Sequence, residues 1–161
     1  MKENNYKKLI DDGIYELNNG NVEHAIELIT KSIELKNDWE ISYFYRAVAF
    51  HSIKKFDEAI LDYTKSIKLN PKMIDAYYNR AKILLEREDI SKENLQKIVD
   101  DLEIAIGLDN NFLDALFAMA CAKKKQEKYQ EALEYLDKVL EICPDAINAR
   151  ALKKLLLQKY L

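Results

Sequence analysis

Residue types that commonly carry chemistry are sparse in this chain of 161 residues. His24 and His51 are the only histidines. Cys121 and Cys143, the only cysteines, form no CxxC and have no histidine at ligand spacing, so neither a zinc site nor a redox pair is expected. Both read as reduced thiols. Asp11-Asp12 and Asp100-Asp101 pair carboxylates along the chain, but helix neighbours point about 100° apart, which is wrong for an acid–base dyad. Lys123-Lys124-Lys125 reads as a solubilising helix end rather than a phosphate site. Gly13, Gly20 and Gly107 are isolated, and no GxSxG or HExxH occurs, so the phosphate-loop, nucleophile-elbow and zinc-protease chemistries lack their residues. The sequence predicts no enzyme, no metal and no cofactor.

Composition points to the elements available to position anything else. Hydrophobic residues make up 48% and charged residues 33%, with three glycines and two prolines, too little turn chemistry for a many-stranded sheet. An all-α chain is expected. A net charge of −3 lacks the positive field that nucleic acid needs, so nucleic acid is not an expected partner. No apolar run reaches membrane-spanning length, so no membrane partner is expected either. The opening MKENNYKKLIDDGIYEL has no leader-like apolar stretch. A cytoplasmic location is the expectation.

A period organises the chain. FDEAILDYTKSIKLNP (residues 56–71) is paraphrased by YQEALEYLDKVLEICP (129–144). Ala25, Ala59, Ile98 and Ala132 step by 34, 39 and 34, as do Ile29, Tyr63, Leu102 and Leu136, and the phrase openers Val22, Phe56, Leu95 and Tyr129. Upstream, Leu9, Tyr43, Tyr77 and Leu116, and the small residues Gly13, Ala47, Ala81 and Ala120, step by 34, 34 and 39. Spacings of three and four within each segment predict helices. Breakers at 18–21, Asn37-Asp38, Asn70-Pro71, 109–111 and Pro144-Asp145 divide them into four hairpins. A branched side chain in the small column would overpack paired helices, so Ala47→Leu is expected to force the second hairpin apart.

Helix pairs at this period, with these small and large columns and an Asn-Pro stop, resemble the tetratricopeptide repeat family over residues 6–146, most closely at YFYRAVAFHSIKKFDEAILDYTKSIKLNP (43–71). The resemblance implies an all-α, right-handed superhelix: one domain, 1–161, with repeats near 6–39, 40–73, 74–112 and 113–146 and a capping helix at 147–161. Glu16 and Lys123 depart from it, being polar where Phe50 and Leu84 stand. Five extra residues fall between Ala81 and Leu95, in EREDISKEN (86–94), with Ser91 as a candidate cap. This insertion is expected to lengthen the third copy's helices by a turn, as a solvated feature or, alternatively, a partner-contacting ridge. In the last helix Ala149, Leu152, Leu156 and Tyr160 form the capping stripe, and Leu157 and Leu161 lie outside it.

The resemblance further implies that first helices line a concave groove. The groove-facing set is Lys7, Ile10, Ile14 and Leu17; Ile41, Phe44, Tyr45, Val48 and His51; Asp75, Tyr78, Asn79, Lys82 and Leu85; Asp114, Phe117, Cys121 and Lys124. Family members that grip chaperone-tail carboxylates use Lys, Asn and Arg at places occupied here by Ile10, Ile14, Tyr45, Asp75 and Asn79, of which only Asn79 fits. Asp75 and Asp114 would repel a carboxylate. The expected function is therefore a protein-binding adaptor that takes a partly apolar peptide or helix on Ile41, Phe44, Tyr45, Val48, Asp75, Tyr78, Asn79, Lys82, Asp114, Phe117 and Cys121. The alternatives are rings that only fill the inner side of the array, and a homo-oligomer assembled through the Leu-rich final helix or by lending that helix to a neighbour's groove.

Overall fold

The computed structural model describes residues 5–87 and 90–160. Among these the chain forms helices and no strand: α1 (Asn5–Asn18), α2 (Val22–Leu35), α3 (Glu40–Ser52), α4 (Phe56–Leu69), α5 (Ile74–Glu86), α6 (Lys92–Leu108), α7 (Leu113–Lys125), α8 (Tyr129–Ile142) and α9 (Ile147–Lys159). They fall into two compact units, Met1–Ile83 and Leu84–Leu161. In the first, α1 pairs with α2 and α3 with α4, while α2 also packs on α3. In the second, α7 pairs with α8, α6 packs on α7, and α9 closes on α8.

The predicted columns are the core. Gly13, Ala47, Ala81 and Ala120 are all buried, as are Ala25, Ala59, Ile98 and Ala132. In the first unit Ala47, Ala59 and Tyr63 pack with Ala76 and Ile83 of α5. In the second, Leu116, Ala120, Ala132 and Leu136 pack with Ala149 and Leu156 of α9. Small residues set how closely the helices approach, and the large ones opposite fill the remaining volume.

A shared turn closes the hairpins. After α1, α3 and α7 the chain enters the left-handed region at Gly20 (φ 82°), Lys54 (φ 60°) and Glu127 (φ 61°). At each place two main-chain bonds satisfy the last carbonyls of the helix: Gly20 N–H donates to Leu17 and Asn21 N–H to Glu16, Lys54 to His51 and Lys55 to Phe50, Glu127 to Lys124 and Lys128 to Lys123. This is the Schellman arrangement, and it returns the chain at once into the second helix.

The insertion changes one helix only. α6 has 17 residues where α4 and α8 have 14, and Ser91 caps it by accepting from the Asn94 N–H at 3.1 Å. α5 has 13 residues, like α3 and α7, so the expected lengthening of both helices is corrected to α6 alone. The rest of the insertion lies in the 87–91 connector, where residues 88 and 89 are outside the described residues.

α9 keeps the register of a first helix but not its chemistry. Ala149 and Leu156 are buried on the second unit's core, and Tyr160 stacks on Tyr129 at 4.2 Å. Arg150 and Lys154, both exposed, stand one period after Leu116 and Ala120. Leu161 is outside the described residues. No described helix is long and apolar enough to cross a membrane.

Candidate functional site

Each unit presents part of the predicted groove-facing set. In the first, Ile41, Phe44, Tyr45 and Val48 of α3 are half-buried, as are Tyr78 and Asn79 of α5, while Asp75 and Lys82 are exposed. Phe44 meets Tyr45 edge-on at 5.3 Å and lies 5.7 Å from the buried Tyr63. Phe44 and Val48 also pack against the core. Phe44 is thus partly structural, and Tyr45 and Tyr78 are the half-buried tyrosines of the set in this unit. Burial and, secondarily, the charge of Asp75 push the Tyr63 hydroxyl above the ordinary tyrosine range. Tyr63 is a core group rather than an acid or base.

In the second unit, Asp114 is exposed while Phe117 and Cys121 are half-buried. Asp114 and Phe117 border a concave space of about 450 Å³ together with the 145–149 segment. Burial pushes the Cys121 thiol up, with Lys124 and Lys125 opposing by a smaller amount. Neither arrangement supplies a nucleophile beside a base. What they offer is aromatic and aliphatic surface next to carboxylates.

Two expectations are corrected. Ile10, expected to face the groove, is 1% exposed and belongs to the core. Lys123, expected in a solvated helix end, is buried and bonds Glu131 at 2.8 Å. That bond is the main reason the Glu131 carboxyl is held below its usual value. Glu16, the other departure, accepts from Asn21 Nδ2 at 2.6 Å. His24 is exposed, 3.6 Å from Glu16, as its place on a second helix suggested.

Other polar groups were missed although the period marks them. Arg46 Nε and Nη2 donate to Asp62 at 2.7 and 2.9 Å, and Nη1 donates to Thr30 at 3.2 Å. One period on, Arg80 Nη1 donates to Thr64 at 2.8 Å. Ser32 Oγ donates to the Tyr6 carbonyl at 2.9 Å, and Ser66 Oγ, 34 residues later, to the Glu40 carbonyl at 3.0 Å. The columns 30/64, 32/66 and 46/80 were the available signal.

With this geometry in hand, comparison with known proteins settles the family. Tetratricopeptide repeat profiles match residues 41–73 and 113–146. The chain belongs to the tetratricopeptide repeat family. Human mitochondrial import receptor subunit TOM70 is 33% identical over 120 residues, covering 69% of this chain. This tetratricopeptide repeat chain spans only 19% of that receptor's length. The crystal structure of MamA matches with a TM-score of 0.83 at 18% identity, covering 97% of this chain and 88% of that one. YrrB, solved as a TPR protein with an unusual peptide-binding site, matches at 0.81 and 18% identity, covering 93% and 75%. These likenesses show the fold, an all-α helical-repeat solenoid with a final helix.

Proposed function

We propose that this chain is a protein-binding adaptor without catalysis of its own, holding a partly apolar peptide or helix of a partner on its first-helix faces. The observation that carries the reading is the half-buried aromatic pair Tyr45 and Tyr78 in the first unit, with Asp75 exposed on the same helix as Tyr78. Phe117 with Asp114 repeats that combination in the second unit. Aromatic rings supply contact area, and carboxylates favour a basic partner over an acidic tail. A chaperone-tail carboxylate clamp does not fit, because Ile10 is core and Asp75 and Asp114 carry the wrong sign. YrrB's description supports a peptide as ligand class. Single-domain behaviour of residues 1–161 and a cytoplasmic location belong to the same reading, and free Cys121 and Cys143 thiols agree with a reducing compartment.

The test is co-purification from the native cell extract with Tyr45→Ala/Tyr78→Ala beside the parent. Capture should fall at least about tenfold, the order expected for losing one or two aromatic anchors, with far-UV circular dichroism unchanged. Undiminished capture would move the partner elsewhere.

A second reading, self-association, is favoured by α9, where Ile147, Leu155 and Leu157 are 74%, 43% and 49% exposed. Light scattering across a concentration series distinguishes it from a monomeric adaptor.

A further inference from the structure

We infer that α9 is a two-fold, antiparallel pairing surface for a second copy of this chain, with Leu155 of each copy seated beside Ile147 of the other. The inference rests on the self-association reading and gives it a geometry.

The outward stripe of α9 is Ile147, Ala151, Lys154, Leu155 and Gln158, all exposed. Its spacing follows one helical face, and Ala151, midway between Ile147 and Leu155, has the smallest side chain of the five. An antiparallel pair crossing at Ala151 places residues equally far on either side of it opposite one another. Ile147, four residues before, then faces Leu155 of the second copy, four residues after, and the relation occurs twice. A small residue at the crossing lets the helices approach.

The concave space described above lies at the Ile147 end of this stripe. Leu113, Phe117, Val139 and Ile147 supply its apolar walls. Asp114 and Asp145 are exposed beside them, and its lining includes two carboxylates and no cation. A monomer leaves this socket and the exposed Leu155 both facing water. Antiparallel pairing fills one with the other.

Charge agrees with that direction. Asp145 lies just ahead of α9, and Lys154 lies on the stripe toward its other end. Antiparallel pairing brings each Lys154 toward the other copy's Asp145, whereas parallel pairing sets like charges together. Asp145 has an internal partner, Arg150 Nη2, but at 3.6 Å and on the surface that pairing is weak enough to exchange. The interface is isologous, so it closes at two copies rather than propagating.

A charge swap on the full chain tests this geometry. Light scattering over a concentration series should show the parent passing from monomer to dimer. Asp145→Lys and Lys154→Glu should each weaken dimerisation at least about tenfold, because each homodimer meets two repulsive contacts. An equimolar mixture should regain the parental level, because both contacts become attractive. Ala151→Glu should abolish the dimer, and circular dichroism should show every variant folded, since all three positions are exposed. A parent that stays monomeric at every concentration overturns this inference and the self-association reading together, leaving the adaptor reading standing. A parental dimer that neither swap nor Ala151→Glu disturbs keeps self-association but overturns the α9 geometry. Weakened single variants whose mixture fails to recover overturn the antiparallel direction.

Discussion

Arg46 and Asp62 share two hydrogen bonds, 2.7 and 2.9 Å long, and so tie α3 to α4, while the same guanidinium reaches Thr30 of α2. One side chain thereby joins two successive hairpins. Asp62 is buried, so losing its partner leaves an uncompensated carboxylate in the packed layer. Arg46→Leu should cost about 3–5 kcal/mol in urea denaturation. Arg46→Leu/Asp62→Leu should recover much of that loss, because the unpaired charge goes with the pair. Equal losses in the single and double variants would show that the carboxylate was never uncompensated.

The hairpin turns offer a gain. Lys54 and Glu127 occupy the left-handed conformation that Gly20 adopts in the first hairpin. A side chain there costs about 1–2 kcal/mol, while glycine adds freedom to the unfolded chain. Lys54→Gly and Glu127→Gly should each stabilise by about 0.5–1 kcal/mol, visible as a raised Tm. A lowered Tm in both would mean that the side chains' own interactions outweigh backbone strain.

The glycine of the small column should resist replacement. A Cβ on Gly13 would stand 2.7 Å from Cγ1 of Ile29, near the branch point and not at a yielding tip. Ala is favoured over Gly inside a helix by about 1 kcal/mol, but overpacking costs about 1–3 kcal/mol. Gly13→Ala should therefore be neutral to destabilising. Adding Ile29→Leu should restore stability, because Leu102 and Leu136 already occupy that column opposite Ala81 and Ala120. Independent, additive effects of the two changes would rule out the steric coupling.

Two groups raised by burial, the half-buried Cys121 and the buried Tyr63, predict pH behaviour. Burial raises the Cys121 thiol, so less thiolate exists at any given pH than on an exposed cysteine. Iodoacetamide at pH 8 should modify it at least ~10-fold more slowly in the folded chain than in urea. Tyr63 is also raised. A group whose folded value lies above its unfolded one stabilises fully below the unfolded value, about 10 for tyrosine, and that stability is lost as pH climbs past it. The urea midpoint should thus fall as pH rises above about 10, and Tyr63→Phe should flatten the decline.

Legibility in the sequence followed the physics of each feature. Ala47, Ala59 and Tyr63 were readable because burial at a fixed spacing leaves a column, and columns survive noise. The left-handed turns at Lys54 and Glu127 were not, because main-chain bonds close them and their side chains send no signal. Ile10 misled because a groove-facing register position was equated with accessibility. Lys123 misled because its type suggests solvent, while the Glu131 that neutralises it stands across the hairpin. In the candidate site, residue identities were legible, but how far Phe44 leans on Tyr63 depends on packing that spacing alone does not encode.

The shared turn also bears on kinetics. Short connectors closed by two main-chain bonds make the first, second and fourth helix pairs local in sequence, so each can form without a long search through chain conformations. The 87–91 connector ahead of α6 is longer in sequence than these. Folding should begin in the tightly joined hairpins and spread outward.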